Sequence, residues 1–147
     1  MPAYSFLNIQ ATLAGAGGVV NLAAGAAVAE EGITIEAVED KNVMTIGADG
    51  QGQHSLIASD ASTVTVRLLK TSPANAILQL MYDLQSASSA LWGQNVLTIV
   101  DSARNDLIIN QSVAFKKRPT ITYAKEAGMN EWTFDVIKTN TVLGVGQ

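Results

Sequence analysis

Cysteine is absent from the 147 residues, and histidine occurs once, as His54. The first absence excludes disulfides, thiolate metal sites and cysteine nucleophiles. The second excludes any site built on two imidazoles. Basic residues are few, 9 against 13 acids, giving a net charge of -4 and a pI near 4.8. Phosphate binding draws on clustered lysine and arginine, so this balance argues against general nucleic-acid affinity. The first base is Lys41, so the basic segment that opens a secretion signal is missing. Strongly apolar runs are missing too. The most apolar, Leu13 to Ala29, is mostly alanine and glycine with Asn21 in its middle. A spanning helix needs about 20 strongly apolar residues. The expectation is a cytosolic product without a membrane anchor, with this run flexible or closely packed. One domain is expected at this length, burying roughly 68–70% of its unfolded surface without metal or cofactor.

What is present centres on Ser62 to Gln85. Val64, Val66 and Leu68 alternate with Thr63, Thr65 and Arg67, the period of a strand with one buried face. Ser72-Pro73 follows. Proline suits the first helical position, where its missing donor costs nothing, and it favours the extended dihedrals that an N-cap serine needs. Ile77, Leu80, Met81 and Leu84 then recur at i, i+3, i+4 and i+7, so this stripe is expected to be the buried face of a helix. On that reading Leu80→Asp would bury an unpaired carboxylate and prevent folding.

The rest reads as strands. Tyr4 to Leu13 alternates, with Leu7, Ile9, Ala11 and Leu13 sharing a face, and the glycines at 15, 17 and 18 end it. Val19 to Val28 reads as strand or as loop. Ile33 to Val38 and Val43 to Ile46 are extended around a turn at Asp40-Lys41-Asn42. Gly47 to His54 reads as a polar, glycine-rich loop. Val96 to Val100 and Leu107 to Phe115, joined by Asp/Asn-rich Asp101 to Asp106, read as a hairpin, with Leu107, Ile109, Val113 and Phe115 on one face. Thr120 to Ala124 is extended, Glu131 to Val136 is a strand burying Trp132, Phe134 and Val136, and Thr139 to Gln147 frays. The class is mainly β, mostly antiparallel, with one helix.

No catalytic set emerges. His54, Ser55 and Asp60 or Asp49 form a triad only on paper, because no nucleophile elbow holds the serine. Glu30-Glu31 and Glu39-Asp40 are adjacent acids of the kind that hydrate at a turn, not carboxylates facing across a cleft. The Gly47–Gly52 spacing fits neither a dinucleotide fingerprint nor a P-loop, and Asp49 lacks calcium-loop spacing. The chain is read as a non-enzyme.

Leu68-Leu69-Lys70-Thr71-Ser72-Pro73-Ala74-Asn75 resembles the tail tube proteins of contractile-tailed bacteriophages. The resemblance extends through Tyr4-Ser5-Phe6, Glu31-Gly32-Ile33-Thr34-Ile35, Ile46-Gly47-Ala48-Asp49-Gly50 and Val64 to Leu69. Near the end it takes in Val113-Ala114-Phe115, Asn130-Glu131-Trp132-Thr133-Phe134 and Leu143-Gly144. It implies an antiparallel β-sandwich or partly closed barrel with one packed helix. It also implies a virion protein made in the host cytoplasm, whose six-fold rings stack into a hollow tube. Sheath, tape-measure and baseplate proteins would be its partners, and DNA would cross the lumen without specific binding. A related tube of a secretion or bacteriocin apparatus, and a monomeric carbohydrate- or protein-binding β-sandwich, stand as alternatives.

Two surfaces are expected to join subunits. Asn42 to Ala58, including Asn42, Asp49, Gly50, Gly52 and His54, reads as an inter-subunit arm too poor in large apolar residues to stabilise itself. Charge is also uneven along the chain. Residues 1–40 carry acids and no base, while Lys116, Lys117 and Arg118 form a basic corner. That corner is expected to approach Glu30-Glu31 or Glu39-Asp40 of a neighbour.

Overall fold

The computed structural model describes residues 9–22, 28–126 and 128–144, with backbone alone for 28–31. Its strands are β1 (Ile9–Gly15), β2 (Gly18–Asn21), β3 (Val28–Ala37), β4 (Asn42–Ile46), β5 (Gly52–Leu56) and β6 (Ser62–Leu69). Helix α1 (Ala74–Ser86) follows, then β7 (Asn95–Asp101), β8 (Asp106–Lys117) and β9 (Met129–Val142). Seven strands form one antiparallel sheet in the order β2-β1-β7-β8-β9-β6-β3, and β4-β5 form a separate pair. The expected β-rich class with one helix is what forms. The strand expected from Tyr4 is described only from Ile9.

Alternation places the core. Ala11 and Leu13 of β1, Val64, Val66 and Leu68 of β6, Leu97 of β7, Val113 and Phe115 of β8, and Trp132, Phe134 and Val136 of β9 are all buried. A flat sheet seven strands wide would span roughly 30 Å, and a helix about 10 Å across covers only part of that. One 13-residue helix therefore cannot cap so many inward residues. The sheet must curl over its own core, as in a sandwich, while β2 and β3 stay unjoined to each other among the described residues.

The helix buries a different face from the expected one. Ala74, Leu78, Met81 and Gln85 point inward, whereas Ile77, Leu80 and Leu84 face out and Leu80 is 61% exposed. Of the expected stripe only Met81 is core. The reason is an apolar sequence on more than one side, with a buried glutamine that periodicity counts as polar. Gln85 and Asn95 exchange paired amide bonds at 2.8 Å. Gln85 Nε2 also donates to Ala16 O (2.8 Å), and Asn95 Nδ2 to Val113 O (3.0 Å). Four segments thus meet at one saturated polar pin, and no buried side-chain polar atom among the described residues lacks a partner. Leu80→Asp should accordingly leave the protein folded. The cost should be about 0.5 kcal/mol of helix propensity, measured by chemical denaturation; failure to fold would put Leu80 back in the core.

The start of the helix follows from local chemistry. The helix begins one residue later than expected, at Ala74, with Pro73 rather than Ser72 in the N-cap place; Pro73 has helical dihedrals (φ -65, ψ -20), and Ser72 Oγ accepts from Ala74 N at 3.3 Å. Asn75 Nδ2 bonds Leu69 O (2.9 Å), while its Oδ1 accepts from Trp132 Nε1 (3.0 Å), tying the turn to β9. At the β1–β2 turn the helix comes so close that a Cβ on Gly17 (φ +102) would lie 3.2 Å from Met81 Cα.

Two strand expectations change. Leu107 and Ile109 do not share the face of Val113 and Phe115. Ser112 is left-handed (φ 55), and β8 gains a residue against β7 between Asn110 and Val113, a β-bulge that reverses which side chains point inward. Asn110 is buried instead, donating to Leu97 O (3.2 Å) and accepting from Thr139 Oγ1 (2.9 Å). The tail is also more ordered than expected as far as Val142, which pairs with Leu107, and Gly144 N donates to Asp106 Oδ1 (2.8 Å).

Candidate functional site

The stretch expected to be a polar loop from Gly47 to His54 divides between the turn of a hairpin and the start of its second strand. Asn42↔Leu56 through Ile46↔Gly52 pair antiparallel, which leaves only residues 47–51 as the turn. Gly50 has φ +85, and Asp49 Oδ1 accepts from Gln51 N (3.0 Å), the local bond that aspartate supplies in tight turns. Gly52 lies in β5 opposite Ile46. Asn42 Nδ2 and His54 Nδ1 meet at 3.0 Å. All of β4 and β5 is exposed, including Val43, Met44, Ile46 and Leu56. The hairpin therefore stands away from the core with both faces open. His54 and Ser55 are successive strand residues and point to opposite faces, which dismantles the paper triad.

The root of the hairpin is fixed by backbone and charge. Ile57 N donates to Lys41 O (2.8 Å), Val38 N to Ala61 O (3.1 Å) and Thr139 N to Asp60 O (3.1 Å). Lys41 Nζ meets Asp60 Oδ1 at 2.9 Å. That hydrogen bond and charge, helped by Lys138, hold the Asp60 carboxyl below the usual carboxylate range. A lowered carboxyl pKa stabilises the folded form above the ordinary aspartate range, and this is lost as pH falls through the lowered value. Both partners are about half exposed, so the contribution is small.

Beside this root lies a cleft of about 600 Å³, lined by Val38, Ala58 to Ser62 and Asp135 to Lys138. It joins the end of β3, the start of β6 and the middle of β9. Ile137 on its wall is 71% exposed. The sequence reading missed it because its walls come from three distant stretches.

The basic corner sits elsewhere. Lys116 and Lys117 end β8 and Arg118 leaves it, all exposed, with Pro119 buried behind them. Residues 118–125 then run irregularly across that end of the sheet. Lys70 pins this run: its Nζ donates to Thr122 O and lies 4.0 Å from the Tyr123 ring centre. Ile121 (55%) and Tyr123 (87%) are left exposed between Arg118 and Lys125. Glu30 and Glu31 lie in β3 between the register points Val28↔Leu68 and Ile33↔Val66, at the same end of the sheet as this corner. Glu39 and Asp40 follow Ala37, which pairs with Ser62 at the far end.

Among the described residues no group of acids and histidine could hold a metal, and no helix is long and apolar enough to cross a membrane. What the arrangement offers is contact surface: an open hairpin, a cleft at its root, a basic apolar loop at the other end, and the outward helix stripe.

Residues 1–144 match the family model described as the bacteriophage PhiTE tail tube protein. No curated protein matches the chain in sequence. Among solved structures, one chain of the anti-feeding prophage tube-terminating cap aligns with TM-score 0.60 and 11% identity, covering 98% of this chain and 93% of that one. A chain of the PVC sheath-tube complex of an extracellular contractile injection system, in its extended state, aligns with TM-score 0.59 and 6% identity, covering 97% and 92%. A chain of the PVC sheath/tube terminator gives TM-score 0.55 and 12% identity, covering 97% and 96%. At these identities the likeness is one of fold.

Proposed function

Because the chain belongs to the bacteriophage tail tube family, we propose that its copies close into six-fold rings that stack into the hollow inner tube of a tail. The tube conducts DNA, a contractile sheath surrounds it, and tape-measure and baseplate proteins meet it. The role is structural and not catalytic, and its place is the virion.

One observation carries the reading beyond the family. The β4–β5 hairpin contributes nothing to the core and exposes Val43, Met44, Ile46 and Leu56. An isolated two-stranded hairpin is marginal in water, and apolar side chains open on both faces gain by being covered. A neighbouring copy supplies that cover in a tube, so Asn42, Asp49, Gly50, Gly52 and His54 become contact residues. The acidic balance fits a conduit, since a wall that bound phosphates would hold DNA back.

Replacing Val43–Ser55 by a short Gly/Ser turn tests this. The shortened protein should melt within a few degrees of the intact one yet stay monomeric in sedimentation at concentrations where the intact protein polymerises. Unimpaired polymerisation would remove the hairpin from the contact.

A further inference from the structure

The geometry points to a specific head-to-tail contact between copies: the Arg118–Lys125 loop of one copy seats in the cleft at the hairpin root of the next. This rests on the tube reading and goes beyond it by naming both halves of one joint.

Position comes first. Lys70, which pins the loop, follows Leu69 at one end of β6, and the cleft contains Ser62 at the other end. Eight extended residues separate these ends by roughly 23 Å. Two different surfaces at opposite ends of a subunit make a heterologous joint, which repeats without closing on itself and extends a stack.

Chemistry comes second. The loop presents Ile121 and Tyr123, both more than half exposed, between Arg118 and Lys125. The cleft offers Val38, Val136 and Ile137 as apolar lining, with Asp60 and Asp135 beside them. Lys41 is paired with Asp60, and Lys138 also lines the cleft, so these two bases match Asp60 and Asp135 in number and the adjacent exposed Glu39 and Asp40 give the rim its negative balance. Apolar meets apolar and base meets acid. Register also separates the two acidic pairs. Glu30-Glu31 share the basic corner's end of the sheet, whereas Glu39-Asp40 lie opposite, so a joint between ends matches the corner with Glu39-Asp40.

Order comes third. The loop has no ladder bonds of its own, yet Lys70 holds it through Thr122 O and the Tyr123 ring. A pre-set loop loses less entropy on docking than a free one.

The lack of cysteine makes a clean test. A double variant, Tyr123→Cys with Ile137→Cys, is assembled and then oxidised. The joint predicts a ladder of disulfide-linked dimers, trimers and longer species, with no ladder from either single variant. Assembled protein that gives no ladder, or dimers from Tyr123→Cys alone, overturns the joint while leaving the tube reading intact. A wild-type chain that never polymerises overturns both. Should the double variant itself fail to assemble, charge exchange decides. Lys117→Glu with Arg118→Glu should slow polymerisation at low salt roughly tenfold. Adding Glu39→Lys with Asp40→Lys should recover part of that rate, and no recovery overturns the pairing.

Discussion

Phe115→Ala should lower the unfolding midpoint by about 10–15 °C, the largest effect expected of any single truncation in this chain. Phe115 is 2% exposed. Its ring centre lies 5.0 Å from Phe134, 5.6 Å from Tyr82, 5.9 Å from Trp132 and 6.3 Å from Trp92. One side chain therefore joins β8, β9, α1 and the α1–β7 connection. Lost burial, lost ring contacts and the cavity left behind together account for about 3–5 kcal/mol. Against a total stability of roughly 5–15 kcal/mol this is a large fraction. At about 2–4 °C per kcal/mol for a chain of this size, the shift follows. Phe115→Leu keeps most of the volume and should lose less than half as much. Thermal unfolding by circular dichroism reads both, and a shift of under about 3 °C for alanine would mean that the aromatic cluster is not the centre of the core.

Gly15→Ala should cost about 2–4 kcal/mol although it adds one methyl group. A Cβ there would stand 1.7 Å from Asn95 Oδ1 and 3.3 Å from Gln85 Nε2. Side chains often yield to such a clash, but Asn95 is fully engaged with Gln85 and Val113 in a buried site. Moving it leaves buried amides unpaired at about 1–3 kcal/mol each. Gly52→Ala is the control, since its Cβ would meet nothing closer than 3.7 Å. Urea unfolding should show a loss for Gly15→Ala and little change for Gly52→Ala. Equal effects would mean that the amide pin contributes nothing particular.

Legibility in the sequence divides along physical lines. Period-two patterns around Val64-Val66-Leu68 and Trp132-Phe134-Val136 give strands whose buried faces the structure keeps, because alternation needs only local backbone geometry. The helix was legible as a helix but not in its orientation. Ile77, Leu80 and Leu84 outweigh Ala74 and Gln85 in hydrophobicity, and a buried Gln85 is acceptable because Asn95, ten residues on, and Ala16 O, far back in the chain, satisfy its amide. The Ser112 bulge has no signature in a serine. The β4–β5 hairpin did have one: Asp49-Gly50 between Val43–Ile46 and His54–Leu56 is a turn pair between extended runs, masked by the amides around it. The cleft was invisible, since register alone brings Val38, Ser62 and Ile137 together. Lys70 over Tyr123 is likewise a tertiary contact between residues that the sequence places far apart.

If this chain polymerises into a hollow tube, electron microscopy of the purified protein at rising concentration should show it. Rings should appear first and then tubes of constant width, with a central channel and a regular axial repeat. Dispersed single particles of one subunit's size at every concentration and salt would contradict it.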